Sequence, residues 1–186
     1  MVMVTPAMSY FLHAGLCRHG YVEESFRMFR ERFDHMLGAG TNRTLWEEWW
    51  LDQTGRTGTL AKTVTRSDAQ TESAFPPMLF TEYILGVRPT QPGLAEVTLS
   101  LFPSGLRQIE GGIPSPEGIL RVRWKLDDEV GRLAVDIPGE MRVKLDLTSL
   151  EAVGAGKILV DGSPLEDGPR KKEYVQLRRG SHHVEF

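Results

Sequence analysis

Ile119-Leu120-Arg121-Val122-Arg123-Trp124-Lys125-Leu126 alternates with the two-residue period of a β-strand, so that Leu120, Val122 and Trp124 share one face. Short segments of the same kind lie on either side of it. They run from Glu96 to Phe102, Leu106 to Gly111, Arg132 to Ile137, Met141 to Leu147, Ile158 to Val160, Tyr174 to Leu177 and His182 to Phe186. About eight strands bounded by Gly, Pro and Asp turns predict an antiparallel β-sandwich over residues 94–186. No internal repeat of fixed period interrupts that pattern.

Upstream the period changes to that of helices. Thr5-Pro6 reads as an N-cap followed by a first-turn proline, and Met8, Phe11, Leu12 and Leu16 recur at helical spacing until Gly20. A second helix from about Val22 puts Val22, Phe26, Phe29, Phe33, Met36 and Leu37 on one face. Glu23 and Glu24 suit the positive end of its dipole, and Gly38 and Gly40 end it. Residues 51–68 contain Gly55, Gly58 and five threonines without periodicity, which predicts a long surface loop. A third helix is expected from Phe75-Pro76-Pro77 to Gly86, with Arg88-Pro89 and Pro92-Gly93 as a linker. The expected division is therefore 1–93, helical, and 94–186, strands: an α+β chain. The phenylalanines of the helix pair need more partners than the pair supplies. These helices are accordingly expected to be the end of a larger helical domain and to expose an apolar patch.

Composition removes several function classes. The 186 residues carry a formal charge of −3, with Lys and Arg spread along the chain, so no basic field is present to grip nucleic acid. One cysteine, Cys17, excludes an intrachain disulfide framework and a Cys-rich zinc site, and reads as a small apolar helix residue. No apolar run reaches the roughly 18 residues of a membrane span, and the first residues lack a basic leader; the expectation is a chain with no membrane partner and a cytoplasmic location. His182 and His183 fall on opposite faces of a strand, and His13, His19 and His35 have no partner at a ligand spacing, so no metal and no cofactor is implied. Gly154-Ala155-Gly156-Lys157 lacks the spacing of a phosphate loop and is expected to be a hairpin turn. Asn42-Arg43-Thr44 fits a glycosylation sequon but is read as idle.

Chemistry concentrates in Thr44-Leu45-Trp46-Glu47-Glu48-Trp49-Trp50, which holds three of the four tryptophans and two carboxylates. Indole rings stack on the C–H face of a sugar, and a carboxylate beside them can bind hydroxyls or activate water. The pattern points to carbohydrate. Its competing reading is that the tryptophans pack a helical core and the glutamates face water.

The order of motifs resembles the C-terminal part of bacterial α-L-rhamnosidases, inverting glycosidases of the family 78, six-hairpin type. Arg43-Thr44-Leu45-Trp46-Glu47 is similar to the family's Thr-Thr-x-Trp-Glu, departing at Arg43. Tyr83-Ile84-Leu85-Gly86-Val87-Arg88-Pro89 resembles Tyr-x-Leu-Gly-Ile-x-Pro, with valine for isoleucine at Val87 and Pro92-Gly93 following. Gly112-Ile113-Pro114-Ser115-Pro116-Glu117-Gly118 resembles the Gly-rich turn that opens the sandwich, and Gly180-Ser181-His182 the terminal strand. The resemblance implies that the helices end an (α/α)6 toroid ahead of a β-sandwich. It implies Glu47 as general base, Glu48 as its competitor, and Trp46 with Trp49 or Trp50 lining the sugar subsite. The implied partners are a rhamnose-containing glycan or glycoside and the remaining toroid. The family's general acid belongs to an Asp/Glu-rich stretch upstream, which does not precede residue 40 here, so this chain alone is expected to be inactive. Ser67-Asp68-Ala69-Gln70 stands where the family has Ser-His-x-His or Ser-His-x-Trp. Asp68 is thus either a sugar-contacting residue or a loop cap, and its acceptor chemistry opens the choice of sugar. The alternatives to a catalytic fragment are a carbohydrate-binding module built on the same tryptophans and a structural accessory piece.

Overall fold

Leu120, Val122 and Trp124 do share a buried face, and the sheet they belong to organises the C-terminal half of the chain. The structure is a computed structural model that describes residues 5–38, 43–47, 67, 69–102, 104–127, 130–165 and 173–186. It divides into two compact units, residues 1–79 and 80–186.

In the second unit the strands are β1 (Val87–Pro89), β2 (Glu96–Leu99), β3 (Gln108–Ser115), β4 (Gly118–Leu126), β5 (Gly131–Ile137) and β6 (Arg142–Asp146). After the short helix α4 (Leu147–Ala152) come β7 (Leu159–Val160), β8 (Ser163–Pro164), β9 (Tyr174–Leu177) and β10 (Gly180–Glu185). One sheet has the order β3-β4-β5-β10-β7-β8 and is antiparallel throughout; the other has the order β1-β2-β6-β9. Register follows burial. On β4, Trp124 stands opposite Ile109 and Leu133, and Val122 opposite Val135, so the inward residues of neighbouring strands form rows. Those rows meet Val97, Leu99, Val143, Leu145 and Leu177 of the other sheet in one core, which Met141 and Leu150 of α4 also enter. This is the packing of a β-sandwich.

Four expectations change here. The division falls after Leu79 and not after Gly93, because Arg88-Pro89 is not linker but part of β1, which pairs with β2 from Val87↔Leu99 to Pro89↔Val97 around a turn at Pro92–Leu94. Proline is tolerated there because β1 is an edge strand. The sandwich is not wholly antiparallel: β2 and β6 are adjacent and parallel, and 42 residues of intervening hairpins supply the crossover that such a pair requires. The Gly112–Gly118 stretch is mostly strand, with its turn confined to Pro116-Glu117 between Ser115 and Gly118. Gly154-Ala155-Gly156-Lys157 is no hairpin turn. Asp146 caps α4 through bonds from the N–H groups of Thr148 and Ser149, and Gly154, at φ 98°, ends that helix by donating to the Glu151 carbonyl.

The first unit is built on α1 (Ser9–Arg18) and α2 (Val22–Leu37), with Gly20 at φ 86° between them. Thr5 is not the N-cap of α1: the Thr5 hydroxyl accepts the Met8 N–H at 3.3 Å across a turn that precedes the helix, and the N-cap position, Met8, carries no side-chain cap. On α2 the expected face is buried at Val22, Phe29, Phe33 and Met36. On α1 it is not. Ser9, His13, Ala14 and Cys17 face inward, while Met8, Phe11 and Leu12 are exposed, Phe11 by 67%. Small residues and a flat imidazole allow α1 to approach α2, where the His13 ring stacks on Phe29 at 3.8 Å between centroids. Phe75 closes this cluster against Tyr10, His13, Phe29 and Phe33. The third helix begins as expected, α3 spanning Pro76–Leu79, and continues as a π-helical turn over Phe80–Ile84 to Gly86. No described helix is long and apolar enough to cross a membrane.

Candidate active site

After α2, residues 43–47 form a segment that belongs to no helix or sheet, with bends at Arg43 (φ 56°) and Glu47. Two consecutive peptide units in it are each held at both polar ends. The Leu45 carbonyl accepts the Gln70 N–H at 2.9 Å, and the Trp46 N–H donates to Met36 Sδ at 3.4 Å. The Trp46 carbonyl accepts the Ser73 hydroxyl at 2.8 Å, and the Glu47 N–H donates to the Ser67 carbonyl at 3.1 Å. Met36 comes from α2 and Ser73 from a 3-10 turn, Thr71–Ser73, and both are fully buried. Trp46 is 6% exposed, so its ring is anchored in the unit's interior, while Glu47 is half-buried.

These bonds bring together two stretches that the sequence offers separately, Trp46-Glu47 and Ser67–Gln70. Within the second, the Ser67 hydroxyl donates to the Ala69 carbonyl at 3.2 Å. Glu48, Trp49, Trp50 and Asp68 lie outside the described residues. Of the expected site residues, Trp46 and Glu47 can therefore be located. Met36 and Ser73 escape the sequence reading, since a buried methionine and a lone serine carry no pattern that ties them to a segment 10 or 27 residues away. Among the described residues, the arrangement offers chemically one half-buried carboxylate, Glu47, on a peptide unit held at both polar ends.

His13 is 1% exposed and belongs to the core of the unit, not to this segment. Burial pulls its pKa down to about 4, against the opposing effect of hydrogen bonding with Ser25, whose hydroxyl lies 2.9 Å from Nδ1. Among the described residues no three His, Cys, Asp or Glu side chains are grouped to hold a metal ion.

The hairpin β1–β2 and the strands after it carry the decisive likeness. Residues 86–157 match the family described as bacterial alpha-L-rhamnosidase C-terminal domain. This chain resembles the C-terminal part of those enzymes. No curated protein sequence matches it. Among solved structures it is similar to the alpha-L-rhamnosidase from Dictyoglumus thermophilum, at a TM-score of 0.74 and 15% identity over 97% of this chain and 20% of that one. It is also similar to Streptomyces avermitilis alpha-L-rhamnosidase complexed with L-rhamnose, at a TM-score of 0.68 and 15% identity over 98% and 17%. The third is the alpha-L-rhamnosidase from Aspergillus terreus, at 0.65 and 18% over 97% and 19%. At these identities the likeness is one of fold. It extends through the helices as well as the sandwich, and the chain spans about a fifth of the length of these α-L-rhamnosidases.

Proposed function

We propose that this chain is the C-terminal part of an inverting α-L-rhamnosidase, in which the helices end an (α/α)6 toroid, the β-sandwich follows it in the chain with a structural role, and Glu47 is the general base. The observation that carries this reading is the clamped Trp46-Glu47 peptide: a base must sit at a fixed height relative to the sugar, and a backbone tied at both ends keeps it there. In the reaction Glu47 takes a proton from a water molecule, whose oxygen attacks the anomeric carbon on the face opposite the departing oxygen. A second carboxyl group, supplied by the preceding helical part of the toroid and standing roughly 6.5–9.5 Å from the first, protonates that leaving oxygen, and the configuration inverts.

Trp49 and Trp50 would supply the sugar's stacking surface, as the resemblance implies, with Glu48 and Asp68 among the polar groups around the ring. Trp46, being buried, serves chiefly as the anchor behind Glu47. The exposed Met8, Phe11 and Leu12 of α1 support the toroid reading, because further helices would cover such a face.

The test is hydrolysis of an aryl α-L-rhamnoside by the complete polypeptide that carries this sequence, with and without Glu47→Gln. Loss of turnover by a factor of about 100 or more with retained L-rhamnose binding supports the general base. Unchanged turnover in Glu47→Gln rejects it and leaves the tryptophans as a binding surface only.

A further inference from the structure

We propose that Ser73 is a positioning residue for the general base, an inference that rests on the reading of Glu47 given above. The Trp46 carbonyl and the Glu47 N–H belong to one planar peptide unit, so whatever fixes that plane fixes the Cα from which the Glu47 side chain departs. Its N–H end is tied to the Ser67 carbonyl at 3.1 Å, and its C=O end accepts the Ser73 hydroxyl at 2.8 Å. The second tie is made by a side chain. Because residues 43–47 belong to no sheet, no strand neighbour stands ready to replace it.

Burial makes the contact dependable. Ser73 has no exposed surface, so water does not compete for its hydroxyl, and its own N–H is taken by the Gln70 carbonyl at 3.1 Å within the 3-10 turn. That turn also sends the Gln70 N–H to the Leu45 carbonyl, so the Ser67–Ser73 stretch grips residues 45–47 at three points. Removing the hydroxyl frees the carbonyl end of the plane to rotate and carries the Glu47 carboxylate off the line to the attacking water. A displacement of about 1 Å at such a group is enough to cost a hundredfold in rate. Substrate binding, made by other groups, is left in place.

The experiment compares wild type, Ser73→Ala, Ser73→Thr and Glu47→Ala in the complete polypeptide carrying this sequence, on an aryl α-L-rhamnoside with and without added azide. Azide attacks the anomeric carbon with its own lone pair as the C–O bond to the aglycone breaks and the general acid protonates the leaving oxygen, giving β-L-rhamnosyl azide. No proton has to be removed from it, so this route bypasses the base. The expected result is a kcat at least tenfold lower in Ser73→Ala with KM within twofold of wild type, restoration in Ser73→Thr, and azide-dependent recovery in both Ser73→Ala and Glu47→Ala. A Ser73→Ala enzyme with wild-type kcat, or a defect that azide does not relieve, overturns the positioning role while leaving Glu47 as base. A Glu47→Ala enzyme that keeps its activity or gains nothing from azide overturns the reading of Glu47 itself, as does a wild-type polypeptide without turnover, and the positioning role falls with it. Should Ser73→Ala not fold, Ser73→Cys, similar in size and a weaker donor, is read by the same criteria.

Discussion

Gly86, inside Tyr83-Ile84-Leu85-Gly86-Val87-Arg88-Pro89, has a physical reason to be glycine. Its φ is +87°, and a Cβ placed on it would run into the Ser100 carbonyl, while the Gly86 carbonyl itself accepts the Ser100 N–H at 2.9 Å. Both the left-handed backbone and the obstruction act against any side chain. Gly86→Ala should therefore destabilise the second unit by more than about 3 kcal/mol, read as a lowered denaturant midpoint; a shift under 1 kcal/mol would mean that the loop relaxes freely. His13 gives a second residue-scale prediction. Its folded pKa of about 4 lies below the unfolded value near 6.5, so below pH 6.5 the unfolded state binds the proton first and the folded state loses ground. Between pH 7 and 5 the first unit should lose about 2 kcal/mol, and His13→Phe, which keeps a ring against Phe29, should flatten that dependence. A stability independent of pH over this range would show that His13 charges in place. The motif glycine is readable from the sequence; the histidine is not, because it sits among exposed apolar neighbours and only its partners on α2 identify it as core.

At the scale of elements, the turn between β7 and β8 is latched to β10 by one carboxylate. Asp161 accepts the His183 N–H at 2.8 Å and faces His182 Nδ1 at 2.8 Å, while His182 Nε2 faces the Arg178 carbonyl at 2.8 Å. Both ring nitrogens thus point at acceptors, an arrangement satisfied in full only by the doubly protonated ring. Burial pulls the His182 pKa down, but the bonds to Asp161 and Arg178 and the carboxylate charge together outweigh it and hold the value above normal. The Asp161 carboxyl is held low, first by the His183 N–H and then by His182. A raised histidine stabilises fully below its unfolded pKa near 6.5 and loses that contribution as pH rises through the folded value. Asp161→Ala should lower the melting temperature of the second unit more at pH 5.5 than at pH 8.5; an equal loss at both would deny the charged ring. The strands β4 and β5 could be read directly because charged and apolar residues alternate in them. β8 and α4 could not, since two and six residues are too few to express a period.

For the whole molecule, the two histidines predict opposite behaviour in the two units. On acidification from pH 7 to 5 the transition of the first unit should move to lower temperature and that of the second should hold or rise, since Asp161, Asp127 and Glu96, all held below their usual carboxyl range, stay ionised across that window. Calorimetry at both pH values checks this, and transitions that move together would refute it. The exposed α1 face gives a further test: Phe11→Ser should reduce the binding of a hydrophobic dye by the 186-residue chain without lowering the first unit's melting temperature, because Phe11 is mostly in solvent. A fall in that temperature would show instead that Phe11 packs within the unit. By itself the sequence determined the helical character of the first half, the run of strands in the second, the inward row of β4, and the concentration of tryptophans and carboxylates in 44–50, all of which are expressed within a few residues of one another. Tertiary structure alone decided which face of α1 is inside, that β2 lies parallel to β6, and that Ser73 and Met36 hold the peptides before Glu47. Each of those choices depends on a partner far away in the chain, and local periodicity carries no information about which distant surface wins the contact.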